Sequence, residues 1–184
     1  FPLVMSTSIK ANTFTLNALF EYTKLLNLCV SQPALTSDSW SGLLITKRHQ
    51  SFMHRWTNFI EIMCPIFSSE TLQECTDSFK YHDGGGGCIE AYWLAKCSPI
   101  LGKTAIIDAL PVTHTRRSGE EGSGDRSQIN HQISRNRMRM VMAQTGFSLS
   151  KDNLCGLSLD RKFLHIGDID FVNLLNNDAL HLDP

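Results

Sequence analysis

Apolar residues recur at helical spacing along most of the chain. Leu16, Leu19, Phe20, Leu26 and Val30 recur at helical spacing, and Asn12 or Thr13 stands where an N-cap belongs, so the pattern predicts a helix over 13–31. Tyr22, Leu25 and Cys29 widen that stripe, and a helix apolar over so much of its circumference needs neighbours on more than one side. Pro33 and the Ser/Asp-rich stretch through Ser41 end it. Leu43–Thr46 is short and apolar, open between a strand and a helix start. Phe52, Trp56, Phe59, Ile60 and Met63 mark one face of an amphipathic helix over 51–63, closed by Pro65. Ser68 or Ser69 opens a third helix over 69–97, with Leu72, Cys75 and Phe79 on one face and a break at Asp83 and glycines 84–87. Thr104–Leu110 reads as a further short helix stopped by Pro111.

A fourth long helix is predicted over 126–145. Asp125 followed by Gln128 has the spacing of a capping box, and Gly146 is placed as the C-cap. Ile129, Ile133, Met140 and Ala143 form one apolar stripe, while Met138 and Met142 lie on another side with Arg135 and Arg139 beside them. Beyond Ser158, Phe163, Leu164 and Ile166 suit a strand, and Phe171, Val172, Leu174 and Leu175 a short helix. The expected fold is therefore mainly α, an antiparallel four-helix bundle with short irregular or strand segments at one end. All 184 residues fit one domain, with an irregular arm over 1–12, a flexible loop over 118–125 and a tail from about 147 to 184.

Composition changes this picture little, but the distribution of charge adds to it. Hydrophobic content of 42% with 19% charged residues suits a packed domain and argues against wholesale disorder. The net charge of −1 conceals an asymmetry: Thr115–Gln144 carries six arginines against Glu120, Glu121 and Asp125, whereas Asp152–Pro184 carries six aspartates against Arg161 and Lys162. A basic middle before an acidic tail points to an anionic ligand bound away from the C-terminus. Six dispersed cysteines without a CxxC pair fit reduced, buried thiols, although an even count also permits three disulfides. No apolar run is long enough to span a membrane, and no signal peptide is visible at Phe1.

Most candidate chemistries weaken on inspection. Cys97–Thr104, CSPILGKT, ends like a phosphate loop, but Cys97 stands where the first glycine belongs and Pro99 removes a backbone donor. His82, Cys88 and Cys97 lack the paired spacing of a structural zinc site, so neither a metal nor a cofactor is expected. Asp168 and Asp170 are too little for acid–base work, nothing resembles a nucleophile elbow, and no enzyme is expected. The arginines say more. Arg116, Arg117 and Arg126 flank the Gly-rich loop and suit bidentate contacts to phosphate, with Arg135, Arg137 and Arg139 further along the helix. A solvated helix face explains such a run equally well.

Thr115-Arg116-Arg117, followed by Arg126-Ser127-Gln128-Ile129-Asn130, resembles the segment that introduces the fourth helix in coat proteins of rod-shaped plant viruses, the tobamovirus-like family. Leu28-Cys29 in LLNLC, and Phe52 with Trp56, match further short motifs of that family in nearly collinear order. The acidic pair Glu120-Glu121 is displaced by one residue, the tetraglycine region departs from the pattern, and the tail is longer. The resemblance implies a four-helix bundle that stacks helically with copies of itself around single-stranded RNA, in a virion assembled in the host cytoplasm. It implies phosphate contacts from Arg116, Arg117 and Arg126, and from Lys47 and Arg48 ahead of the second helix. Glu120 and Glu121 would face carboxylates of neighbouring subunits and store repulsion released as pH rises. A secreted four-helix signalling protein and another helical RNA-binding nucleoprotein remain open alternatives.

Overall fold

A computed structural model describes residues 8–41, 43–81, 88–97, 102–116, 125–146, 152–165, 168, 170 and 172–173. The strands among them are β1 (Ile9–Lys10), β2 (Val30–Leu35), β3 (Phe52–Thr57), β4 (Ile66–Phe67), β5 (Thr104–His114), β6 (Asn153–Ser158) and β7 (Phe163–His165). The α-helices are α1 (Thr13–Leu25), α2 (Ser69–Cys75), α3 (Cys88–Cys97) and α4 (Asp125–Thr145). The strands build one mixed seven-stranded sheet in the order β4-β2-β5-β3-β6-β7, with β1 paired to the end of β5. This α/β architecture overturns the expected four-helix bundle.

The correction falls on three segments. The predicted helix over 51–63 is instead β3 followed by irregular chain; the end of the predicted first helix is β2; and Thr104–His114 is β5. All three strands lie inside the sheet, β5 between β2 and β3, and apolar clusters pack on both faces of this part of the sheet. In β3, Phe52, His54, Arg55 and Thr57 are all buried, which erases the alternation that marks a half-exposed strand. Ala105, Ile106 and Ile107 in β5 are each 0% exposed, and an apolar run of that kind has no period to distinguish strand from helix.

Pro111, read as a helix stop, lies in a strand irregularity. β2 and β5 run parallel with Pro33 opposite Ile107 and Leu35 opposite Val112, so the stretch 108–111 of β5 bulges against a single residue, Ala34. A proline that cannot donate to the ladder is tolerated there.

The helices that did form carry the expected signals. Asn12 caps α1, its Oδ1 accepting the Thr15 N–H at 2.7 Å, and Ser68 caps α2 by accepting the Thr71 N–H. α1 ends six residues early because Asn27 adopts φ 50°. The Leu28 N–H reaches the Thr23 carbonyl and the Asn27 N–H that of Lys24, a Schellman closure with asparagine in the left-handed position.

Three layers result, with α1 on one face of the sheet and α2 and α3 on the other. Leu19 and Leu28 pack against Ala105, Ile107, Leu35 and Val112 beneath α1. Trp93, Leu94 and Ile89 of α3 pack with Val30, Ala34 and Ile106 on the opposite face. Trp93 is 0% exposed, meets Phe67 edge to face at 4.9 Å and donates its indole N–H to Ser78 Oγ. α4 sits outside this sandwich, packed on α3 through Val141 and Met138 against Ala91 and Tyr92.

Candidate functional site

The sheet aims Arg55 of β3 and Asp108 of the β5 bulge at each other, both 0% exposed. Arg55 Nε donates to Asp108 Oδ2 at 2.9 Å and Nη2 to Oδ1 at 3.0 Å, a bidentate pair. The remaining guanidinium donors reach the Ile45 and Lys47 carbonyls and Asn153 Oδ1, and the His49 N–H adds a bond to Asp108 Oδ1 at 2.8 Å. Complete burial pushes the Asp108 carboxyl up, opposed by the charge and hydrogen bonds of Arg55 and the His49 N–H. With its donors consumed by the protein, this pair fastens the 45–49 segment to the sheet and offers nothing to a ligand.

Beside it, burial holds two histidines neutral. The pKa of His49 falls to about 3, from burial and then from the Arg55 charge, and that of His54 falls to about 4 from burial. His54 Nδ1 pairs with the Tyr22 hydroxyl at 2.9 Å, and its ring meets Trp56 edge to face at 4.2 Å. Among the described residues, no group of three His, Cys, Asp or Glu side chains is arranged to hold a metal ion. The phosphate-loop remnant is likewise engaged elsewhere: Gly102 O accepts the Trp56 indole N–H, Lys103 Nζ donates to Asn27 O at 2.7 Å, and the strand follows the motif instead of preceding it.

The predicted RNA-binding residues divide. Lys47 is 8% exposed, and its ammonium donates to the backbone carbonyls of Thr36, Ser37 and Ser39. Burial lowers its pKa, with the Asp38 charge acting in the opposite sense. Arg48 is exposed, its Nε donating to the Asp108 carbonyl at 3.2 Å. Arg116 is exposed just beyond β5, next to Thr115, which is tied by its N–H and hydroxyl to Ser8 O. Arg117, Glu120 and Glu121 lie outside the described residues. Arg126 belongs to the first turns of α4, with its side chain outside those described.

α4 gives the clearest surface. Arg135 and Arg139, four residues apart, are exposed on one flank of the helix, and Arg135 donates to Gln132 Oε1 at 3.1 Å. Ile133 and Met140, 38% and 59% exposed, occupy the other flank. No acidic residue occurs from Arg126 to Lys151, so no carboxylate within that stretch neutralises the arginines. Sequence reasoning finds these arginines but ranks them behind Arg116 and Arg117. It misses Arg55 and Asp108, whose signal is a lone charge inside an apolar run, FMHRWT and TAIIDALPV.

No family model matches the chain, and comparison with curated proteins and with solved structures finds no match.

Proposed function

We propose that this chain binds single-stranded RNA through its sugar-phosphate backbone, with α4 as the contact surface. The observation that carries this reading is the exposed Arg135–Arg139 flank on a helix free of acids from Arg126 onward. Guanidinium groups one helical turn apart engage successive phosphates, and displacement of counterions supplies the affinity. Arg116 is offered as a further contact because it too is exposed. The reading stands on this surface and not on a bundle, since the mixed sheet replaces the architecture the rod-coat resemblance implied.

Self-assembly around the RNA is the second part of the proposal, favoured by Ile133 and Met140. Two exposed apolar side chains seven residues apart form a strip suited to another copy of the helix. Many weak RNA contacts repeated along a strand would then bind tightly.

Fluorescence anisotropy with a labelled single-stranded RNA, measured as a function of salt, tests the first part. Arg135→Ala with Arg139→Ala should weaken binding at least tenfold and lower the salt slope by about 1.4, or about 0.7 for each phosphate no longer neutralised. Unchanged affinity and slope would overturn it, as would an equal weakening in a control variant altered only at Lys103. Negative-stain microscopy with and without RNA tests the second part: rods or discs support it, and monomers under both conditions refute it.

A further inference from the structure

Three stretches far apart in the sequence meet at the end of β5. His114 is the last residue of β5, Ser8 stands immediately before β1, and Trp40 belongs to the connection between β2 and β3. β1 pairs with β5 through Ile9 opposite His114, and the Thr115 N–H and hydroxyl both reach Ser8 O, at 2.9 and 3.0 Å. The His114 backbone is held as well, its N–H donating to Ser39 Oγ at 2.9 Å and its carbonyl accepting the Trp40 N–H at 3.1 Å. Between these anchors the imidazole has Nδ1 2.8 Å from Trp40 O and Nε2 2.9 Å from Ser8 Oγ. A carbonyl oxygen can only accept, so Nδ1 carries a proton. In the neutral ring Nε2 then bears the lone pair, and the Ser8 hydroxyl donates to it. His114 is 6% exposed whereas Ser8 is half-buried, so the base is enclosed and the serine is partly open to solvent. A hydroxyl, a base within reach of its proton and a third group that fixes the tautomer are the parts of an activated nucleophile. Here a backbone carbonyl takes the orienting position.

We propose that Ser8 and His114 act as nucleophile and general base on activated carboxylic esters, with the Trp40 carbonyl positioning the ring. Ser8 Oγ attacks the ester carbonyl carbon as His114 Nε2 takes its proton. The carbon–oxygen bond to the leaving alcohol breaks, that oxygen takes the proton from Nε2, and the acyl group stays on Ser8. Water then repeats the exchange. Nε2 takes a proton from it, its oxygen attacks the acyl carbon, and the bond to Ser8 Oγ breaks as the proton returns to Oγ. One ester and one water thus give one acid and one alcohol, with no change of oxidation state. A neutral carbonyl stabilises the imidazolium less than a carboxylate does, which confines the substrate to esters with good leaving groups. RNA binding at α4 plays no part in this chemistry.

The test incubates the full chain with a fluorophosphonate probe, which phosphonylates an activated serine with loss of fluoride, and maps the peptides by mass spectrometry. In parallel, release of p-nitrophenolate from p-nitrophenyl acetate is followed. The expected result is a single phosphonylated residue, Ser8, no label on the chain unfolded in urea, and ester hydrolysis above the rate in buffer. Ser8→Ala should abolish both signals. His114→Asn, whose amide can keep the bond to Trp40 O, should slow the labelling of Ser8 by about a hundredfold or more. Because His114 is buried, the wild-type map and Ser8→Ala decide alone if that variant fails to fold. No label, a label on another residue, labelling that survives unfolding, hydrolysis that persists in Ser8→Ala, or a folded His114→Asn labelled at the wild-type rate would each overturn the assignment.

Discussion

Arg55 and the Arg135–Arg139 pair are the same side chain in opposite settings. Arg55 is wholly enclosed, with a carboxylate, two carbonyls and an amide oxygen arranged around it. Arg135 and Arg139 stand on a helix surface in contact with water. A buried guanidinium loses its hydration and must recover it from protein atoms, so its neighbours are specified and the group has no capacity left for a ligand. An exposed one keeps its water until a phosphate displaces it. What distinguishes an arginine committed to the fold from one left open to a ligand is therefore the number of acceptors the fold places around it.

The sharpest way to break that contrast is to remove the buried partner. Arg55→Met leaves Asp108 charged and enclosed, and should destabilise the protein by about 3–5 kcal/mol, read from urea unfolding. Adding Asp108→Leu should return much of that stability, because the uncompensated charge goes with it; a double variant no more stable than the single one would contradict this account.

Acid probes the same interior. His54 and His49 stay neutral in the native state down to pKa values of about 4 and about 3, against 6.5 in the unfolded chain. The unfolded chain therefore binds protons first as pH falls, and stability present above pH 6.5 is lost on the way down to about 4, by about 3 kcal/mol from His54 alone. Urea midpoints at pH 7 and pH 4.5 measure this. His54→Gln should flatten the dependence, and a midpoint indifferent to pH would count against buried neutral imidazoles.

Arg48 lies between the two extremes, exposed yet donating to the Asp108 carbonyl. Arg48→Ala should cost about 1 kcal/mol, the net worth of one such hydrogen bond. At the far end, Arg135→Ala with Arg139→Ala should shift stability by less than about 0.5 kcal/mol while reducing RNA affinity. A large drop in stability there would show these arginines to be structural after all.

How much of this is readable in the chain depends on where each segment lies. α4 and the starts of α1 and α2 are legible because caps and spacing act locally: Asn12, Ser68 and the glycine at 146, with φ 68°, need no knowledge of the rest of the fold. β2, β3 and β5 are not, because central strands buried on both faces lose their two-residue period, and Phe52 with Trp56 fits a helix turn as well as a strand face. The end of α1 is signalled by Asn27, which the continuing run of leucines obscures. At the candidate site, the basic character of 126–145 is plain. The fate of Lys47 is not, since nothing in its neighbourhood along the chain announces that three carbonyls from 36–39 turn toward it.

The seating of α4 on α3, outside the sandwich, has a consequence for how the molecule opens. Val141 and Met138 hold the helix against Ala91 and Tyr92, an interface far smaller than either core beneath it. Detaching it leaves the sheet and both main cores intact, so its amide protons can exchange with solvent through a local excursion while those of β3 and β5 wait for global unfolding. A long strand sliding over the protein would meet a surface able to lift and settle again without disturbing the scaffold that carries it.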